Sequence, residues 1–364
     1  MQGIAYAEID LAAVRHNLNI VRNHAPQANI MAVIKANAYG HGMVRIAKAL
    51  ENADAFAVAR IDEAVRLRQA GIRQRIAVLQ GFSTDEELQY LIDFNLEAVI
   101  HSNHQIEMLE NRQDRTALTV WLKIDTGMNR LGFKPKETDK VIQQLKDISV
   151  VKQPFNLMTH LASADDQGSD FTTQQIDLFN QALIGVEGER SIGNSAGLMA
   201  WKSAINDWVR PGIMLYGISP FPDSTGSSFD LKPVMSFHSR LITVKSLEKG
   251  ESVGYGNSWV CTKPILLGVV AIGYGDGYPR HAKPGTPVLI NGQRVPLIGR
   301  VSMDMLTVDL SSLPQAKPGD KATLWGDGLP VEEIASFADT IPYTLVCGVT
   351  QRVHIIDHAG EAAV

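Results

Sequence analysis

A single lysine follows a short apolar run near the start of the chain. Residues 30–34 are apolar at every position, and Lys35 stands where this run stops. An uninterrupted apolar run of this length is typical of a strand buried on both faces of a parallel sheet. The small residues that follow, as far as Gly42, predict a tight turn before a helix. A lysine held among small and apolar neighbours can lose its proton and act as a nucleophile, although most lysines at strand ends are simply solvated.

Four later apolar segments are also followed by polar residues that could take part in binding or catalysis. These polar stretches are residues 123–132, 159–165, 193–197 and 210–217. Taken singly, each has an ordinary structural explanation. Asp125 could belong to a turn, His160 could be a hydrogen-bonded core residue, and Asn194 could cap a helix. In a parallel α/β barrel, however, the carboxyl ends of all strands lie on one face, where the active site is built. The repeated pattern therefore favours one shared site.

Side-chain chemistry suggests binding roles for some of these residues. A phosphate group binds backbone N–H groups of glycine-containing turns together with hydroxyls, which Ser195, Gly212 and Ile213 can supply. A substrate carboxylate is well matched by a guanidinium, and Arg130 is the candidate. Arg210 could form only a surface turn with the Pro-Gly that follows it, but its guanidinium donates hydrogen bonds and stays charged.

The elements that must position these residues alternate regularly. Asp10 is a predicted N-cap of a first helix, and Ser102 of a later one. Short strand-like segments separated by helical patterns recur eight times, which predicts a (β/α)8 TIM-like barrel over residues 10–230. The predicted barrel strands are residues 30–34, 55–59, 76–79, 98–100, 119–124, 156–159, 191–192 and 207–210.

The last third of the chain has a different pattern. Residues 221–228 are rich in Pro, Ser and Gly and predict a linker. Beyond it, alternating segments and turn residues predict a mostly antiparallel β domain, residues 231–364 together with an N-terminal strand in residues 1–9. The predicted strands are residues 235–244, 265–272, 287–290, 294–298, 305–309 and 321–324. Three dense strings, at residues 254–257, 273–280 and 299–304, could be turns with exposed aromatic residues.

Composition narrows the class of protein. The chain has 364 residues, a formal net charge of −5 and no block of like charges, which argues against nucleic acid as a partner. Two cysteines make no disulfide framework, so we expect a reducing compartment. No secretory signal, membrane-spanning run or metal-ligand pattern is recognised, and we expect a cytoplasmic protein without a membrane partner.

The string Val-Ile-Lys-Ala-Asn-Ala-Tyr-Gly-His-Gly at residues 33–42 resembles the cofactor-lysine segment of the alanine racemases. These enzymes depend on pyridoxal 5′-phosphate and are built on a barrel. The three β-domain strings resemble that family in the same order, so the resemblance covers nearly the whole chain. Ser302 stands where some members have cysteine. The resemblance implies that Lys35 carries the cofactor as a Schiff base.

The resemblance also implies roles for other residues. The matching histidine lies against the pyridine ring, and the matching Arg210 faces the pyridine nitrogen, keeps it unprotonated and favours reprotonation at Cα over transamination. Lys123 matches a lysine that is often carbamylated and steadies Arg130, which contacts cofactor and substrate. The remaining implied residues are Tyr39, Asn194, Ser195, Gly212, Ile213 and Tyr343 for the cofactor, Met303 for the substrate, and Tyr274 and Asp304 in support.

Racemisation needs a proton donor or acceptor on each face of the substrate carbon. The resemblance gives one face to Lys35 and the other to Tyr255, which enters the site from the second subunit of a homodimer together with Met303. A free tyrosine has a pKa of about 10, so action as a base needs nearby positive charge or a suitable hydrogen bond. The implied function is alanine racemisation that supplies D-alanine for peptidoglycan.

Three alternatives remain open at this point. A decarboxylase of basic amino acids shares the barrel-plus-β plan, but the pairing of Lys35 with Tyr255 favours the racemase. A non-catalytic pyridoxal-phosphate carrier of barrel type would not need the β domain. A racemase that also accepts serine is equally compatible, because one hydroxyl changes the binding energy by only about 1–3 kcal/mol.

Overall fold

A closed barrel of eight parallel strands forms the centre of the computed structural model, which describes residues 3–112 and 117–358. Each strand is short and almost wholly buried, as expected for a parallel sheet covered by helices. All eight predicted strands are present, and the predicted fold class is confirmed. The barrel strands are Asn29–Val33, Ala55–Val58, Arg75–Val78, Glu97–Ile100, Val120–Lys123, Asn156–Met158, Arg190–Ser191 and Trp208–Val209.

Helices connect the strands on the outside of the barrel. The carboxylate of Asp10 accepts hydrogen bonds from the backbone N–H groups of Ala12 and Ala13, at 2.8 and 2.9 Å, so the predicted cap is confirmed. Ser102 occupies the predicted N-cap position of its helix, but its hydroxyl makes no capping hydrogen bond. The barrel helices are Leu11–His24, Met43–Ala49, Ile61–Gln69, Asp85–Asp93, Asn103–Glu110, Thr138–Asp147, Phe171–Ala182 and Ser195–Ala200.

The β domain is a mostly antiparallel sheet of eight strands that includes the N-terminal strand Tyr6–Asp10. This strand pairs antiparallel with Met235–Leu247 and parallel with His354–His358. The other strands of the sheet are Ile265–Val270, Pro287–Ile290, Gln293–Ile298, Leu306–Asp309 and Lys321–Trp325, and a separate two-stranded sheet consists of Ser252–Val253 and Trp259–Val260. The division of the chain at residues 230 and 231 stays a prediction, and residues 359–364 of the predicted β domain lie outside the described residues.

Two helices near the C-terminus were not predicted, Val331–Phe337 and Pro342–Cys347. The second contacts the turn after Lys35, so the β domain meets the barrel at its active-site face. The segment predicted as a linker is partly ordered into the 3₁₀ helix Gly226–Phe229. Within residues 3–112 and 117–358, no helix combines the length and the apolar character needed to cross a bilayer.

Gly40 marks the closest approach of the barrel turn to the helix Pro342–Cys347. Its φ is +83°, and a Cβ at this position would lie 2.1 Å from the carbonyl oxygen of Val346. Gly71 has nearly the same backbone conformation, with φ of +85°, but nothing lies within 4 Å of the corresponding Cβ position. Substitution of Gly71 by alanine would therefore test backbone strain alone, whereas substitution of Gly40 would add a steric clash.

We predict that Gly40→Ala displaces the helix Pro342–Cys347, whereas Gly71→Ala costs only the left-handed backbone term of about 1–2 kcal/mol. Chemical denaturation of both variants measures the difference in the free energy of unfolding. Gly40→Ala should lose about 1–3 kcal/mol more than Gly71→Ala, because its added methyl group overpacks the contact with Val346. Equal behaviour of the two variants would contradict the close approach inferred from the backbone.

Candidate active site

The turn after Lys35 has an unusual backbone. Ala36, Asn37, Ala38 and Tyr39 have φ values of 52°, 52°, 55° and 51°, so four consecutive L-residues are left-handed. Each such residue costs roughly 1–2 kcal/mol relative to the ordinary right-handed conformation. Gly40 and Gly42 also have positive φ, and the turn that the small residues predicted is present. The chain reverses within a few residues and brings Tyr39 back beside the strand end that carries Lys35.

Hydrogen bonds from outside the turn hold this conformation. One carboxylate oxygen of Glu63 accepts from the backbone N–H of Ala36 at 2.6 Å. The side-chain oxygen of Asn37 accepts from the backbone N–H of Met43 at 3.0 Å, which joins the turn to the first residue of the next helix. A strained turn of this kind persists only where its surroundings determine it.

A cavity of about 780 Å³ opens at the carboxyl ends of the barrel strands. Its volume lies within the usual range of small-molecule sites. Eleven of the fifteen predicted site residues line it, which are Lys35, Tyr39, Lys123, Arg130, His160, Asn194, Ser195, Arg210, Gly212, Ile213 and Tyr343. The structure therefore brings together residues that are up to about 300 positions apart in the chain.

Arg210 is fully enclosed and its guanidinium is held from several sides. Its side chain donates to the Ser191 hydroxyl and to the Thr159 carbonyl oxygen, both at 2.6 Å. Burial lowers the pKa of Arg210 to about 10, so it remains charged near neutral pH. It also lies 3.4 Å from Nδ1 of His160. Because arginine only donates, this contact makes Nδ1 an acceptor and puts the proton of the neutral His160 on Nε2.

Positive charges dominate this side of the cavity. Burial lowers the pKa of Lys35, and the charges of Arg130 and Arg210 lower it further against the opposing effect of Glu63. Burial, followed by the charges of Arg210 and Arg130, lowers the pKa of Lys123 to about 7. Burial and the same cations also depress the pKa of His160 well below its usual value. Both lysine amines are consequently easier to deprotonate than exposed ones, and His160 stays neutral.

Another part of the cavity is lined by hydroxyl groups and by the N-terminus of the short helix Ser195–Ala200. The Ser195 hydroxyl accepts from the backbone N–H of Gly212 at 2.9 Å, so this N–H, predicted to be available for phosphate, already has a protein partner. Asn194 caps the helix through its side-chain oxygen, which accepts from Gly197 at 2.9 Å. A Cβ on Gly212 would lie 2.6 Å from the Tyr39 hydroxyl, which leaves room there only for a glycine.

Arg130 projects from a braced loop. Asp125 accepts hydrogen bonds from the backbone N–H groups of Gly127 and Asn129, and its other oxygen accepts from Lys134 at 2.6 Å. Among the described residues, Arg130 itself makes no hydrogen bond or ion pair, and it lines the cavity. An exposed guanidinium on a rigid loop is available to an anionic group of a ligand.

The four remaining predicted site residues do not line this cavity. Tyr255, Tyr274 and Met303 are exposed to 69%, 37% and 52%, respectively. Asp304 accepts a hydrogen bond from Arg352 at 2.7 Å. All four lie in the β domain, outside the cavity of their own chain.

Two features of the cavity were missed by the sequence reasoning. Residues 219–224, of which 221–224 were predicted only as linker, line it together with residues 335, 336 and 340–343. Glu63 contacts the turn of Lys35, but its spacing from the start of the helix Ile61–Gln69 indicates only an ordinary capping residue. No local sequence signal connects either feature with Lys35.

Comparisons with known proteins agree with this arrangement. Residues 9–220 match the family model for the alanine racemase N-terminal domain, and residues 234–356 match that for the C-terminal domain. The chain is 50% identical to alanine racemase of Aeromonas hydrophila over 349 residues, which is 96% of this chain and 98% of the relative. It is 49% identical to that of Coxiella burnetii over 358 residues, which is 97% of this chain and 98% of the relative.

Solved structures give the same result. The biosynthetic alanine racemase of Pseudomonas aeruginosa superposes with a TM-score of 0.95 at 42% identity, over 98% of this chain and all of the other. The Bartonella henselae alanine racemase, which was solved with covalently bound pyridoxal phosphate, superposes with a TM-score of 0.89 at 30% identity, over 98% of this chain and 99% of the other. The chain belongs to the alanine racemase family.

Proposed function

We propose that this protein interconverts L-alanine and D-alanine with pyridoxal 5′-phosphate as cofactor. The observation that carries the proposal is the convergence of Lys35, Arg130 and Arg210 on one cavity at the active-site face of the barrel. The family membership and the near-complete coverage of both family domains support the same activity. Relatives named as alanine racemases support the choice of substrate.

The residues present fit pyridoxal phosphate. Lys35 offers an amine whose pKa is lowered by burial, and Ser195, Gly212 and Ile213 line the hydroxyl-containing corner where a phosphate is suited. Arg210 offers a donor for a ring nitrogen, and Tyr39 and Tyr343 lie with ring centroids 5.9 Å apart beside the same corner. When bound, the cofactor supplies an electron-accepting ring that stabilises negative charge at Cα of an amino acid.

In this proposal Lys35 would hold the cofactor covalently and, once the substrate amine has displaced it, would exchange a proton with one face of Cα. The lowered pKa of Lys35 favours the neutral amine that both tasks require. Arg210 would donate to the pyridine nitrogen and, because it stays charged, would keep that nitrogen unprotonated. Charge at Cα would then be less delocalised, which favours quick reprotonation over transamination. Arg130 binds the substrate carboxylate.

Tyr255 serves the opposite face from a second subunit. Three observations support a shared site: Tyr255 is 69% exposed, Met303 is 52% exposed, and neither lines the cavity of its own chain. The cavity rim also exposes Ile341 to 58%. Exposed apolar residues on a β-domain face and at the cavity mouth are suited to meeting across the interface of a homodimer. Tyr274 and Asp304 support this face, and Asp304 is itself held by Arg352.

We infer a cytoplasmic enzyme that supplies D-alanine for peptidoglycan. One solved relative is described as a biosynthetic alanine racemase, which supports this direction of use. Formation of carbon dioxide from lysine or ornithine would favour the decarboxylase alternative instead.

Lys35→Ala should abolish alanine racemisation and the visible absorption of lysine-bound cofactor, because the amine of Lys35 is the group that holds the cofactor in this proposal. Lys48→Ala, which removes an exposed lysine on the following helix, serves as the control and should keep parental activity. Racemisation is followed by chiral product analysis, and borohydride reduction with peptide mapping locates the cofactor. Labelling of another lysine in the parent protein would contradict the role of Lys35.

Lys123 is suited to carbamylation in this proposal. A carbamate forms from neutral amine and carbon dioxide with release of a proton, and it would place a negative charge near Arg130. With the pKa of Lys123 lowered to about 7, the neutral form rises from about a tenth at pH 6 to about nine-tenths at pH 8. Carbamylation should therefore increase as the pH rises through 7.

Carbon-13 NMR of protein equilibrated with labelled bicarbonate measures this prediction. We expect a carbamate resonance at pH 8 that largely disappears at pH 6 and is absent from Lys123→Met. The variant should also show a higher KM for alanine, because Arg130 loses its anionic support. A resonance that survives in Lys123→Met, or none in the parent at pH 8, would refute the carbamate.

A further inference from the structure

Glu63 is an almost fully enclosed carboxylate, 6% exposed, with no part in the function proposed above. One of its oxygens accepts from the backbone N–H of Ala36 at 2.6 Å. The other accepts from the N–H groups of Ala59 at 2.9 Å and Arg60 at 3.2 Å. Ala36 and Ala59 follow neighbouring barrel strands, so a single side chain joins two strand ends at the active-site face.

This arrangement exceeds what a helix cap requires. A glutamate at the third position of a helix ordinarily returns its carboxylate to the N–H groups just before that helix. Glu87 does so at the third position of the next helix, Asp85–Asp93, where it accepts from Ser83 at 2.6 Å. Glu63 makes the same cap with one oxygen and directs the other to the residue after Lys35.

The charge of Glu63 acts on the Lys35 amine as well. The groups whose electrostatic interaction affects Lys35 are Arg130 and Arg210, which lower its pKa, and Glu63 and Cys347, which raise it. Lys123 is a further cation coupled to Lys35. The negative charge of Glu63 thus opposes the effect of several cations on the Lys35 amine.

We propose that Glu63 is a positioning residue for Lys35: its carboxylate fixes the left-handed turn that directly follows the lysine and balances the cations around the amine. The proposal rests on the role proposed above for Lys35 in holding the cofactor. The turn directly after Lys35 consists of four left-handed residues, and the contact with Ala36 holds its first residue. Without that contact, the turn can relax and the direction of the lysine side chain is no longer fixed.

The test compares Glu63→Gln with the matched cap variant Glu87→Gln in the full-length chain. Glutamine has nearly the same shape but no charge, and its amide N–H₂ would face backbone donors. After removal of the cofactor, the rate of Lys35 acetylation by acetic anhydride is measured against pH by peptide mass spectrometry. Removal of a nearby negative charge disfavours the protonated amine, so the midpoint for Lys35 should fall by about one pH unit in Glu63→Gln.

A second measurement follows the rate at which the visible band appears when pyridoxal phosphate is added. This rate should fall at least tenfold in Glu63→Gln and stay at the parental value in Glu87→Gln. A lower unfolding temperature with an unchanged Lys35 midpoint and an unchanged cofactor rate would overturn the proposal and leave Glu63 as a helix cap only. Failure of the parent to take up pyridoxal phosphate would refute the proposed function, while the acetylation midpoint would still decide the role of Glu63.

Glu63→Asp covers the case in which Glu63→Gln does not fold. It keeps the charge and the helix cap but is one methylene too short to reach Ala36 as well. We expect an acetylation midpoint close to the parental one and a cofactor rate at least tenfold lower, with little change in unfolding temperature. A parental cofactor rate in this variant would show that the contact with Ala36 has no positioning role.

Discussion

The left-handed turn after Lys35 is the constraint on which the active site depends. Four consecutive L-residues hold a conformation that costs roughly 1–2 kcal/mol each, a cost that the surrounding structure must offset. The compensation comes from three directions: the Glu63 carboxylate, the side chain of Asn37, and the close packing of Gly40 on Val346. Strain concentrated beside the principal chemical group is typical of functional sites.

The turn also explains why the β domain is needed next to the barrel. The helix Pro342–Cys347 packs on the turn and carries Tyr343 to the cavity rim, where its ring lies near that of Tyr39. The N-terminal strand Tyr6–Asp10 is part of the β-domain sheet and leads directly into the first barrel helix. The two parts are thus joined at both ends of the barrel sequence, and the cavity has walls from each.

Electrostatics gives the cavity its chemical character. Lys35, Lys123, Arg130 and Arg210 line one space, and burial together with their mutual repulsion lowers the pKa of both lysines. Such a cluster is suited to anionic groups, such as a phosphate and a carboxylate, whose binding relieves the repulsion. Arg210 differs from the lysines because its charge is retained and its donors are fixed by Ser191 and Thr159.

Much of the fold could be predicted because some barrel strands lie in uninterrupted apolar runs with distinct boundaries, as at residues 30–34 and 55–59, and because such segments alternate with helical patterns. The turn chemistry of Gly40 and Gly42 was also evident from residue type. The left-handed conformation of Ala36 to Tyr39 could not be predicted, because alanine and tyrosine have no intrinsic preference for it and tertiary contacts impose it. The helix Pro342–Cys347 is only six residues long, too short for a clear periodic pattern.

In the proposed homodimer, each active site would combine Lys35 of one chain with Tyr255 of the other. Subunit exchange between two inactive variants, Lys35→Ala and Tyr255→Phe, distinguishes such a shared site from a site within one chain. In a mixed dimer one site receives both defects and the other receives neither. Random pairing makes about half the dimers mixed, each with one intact site of two, so about a quarter of parental activity should return if the sites are independent. No recovery, with exchange verified by tagged chains, would contradict a site shared between subunits.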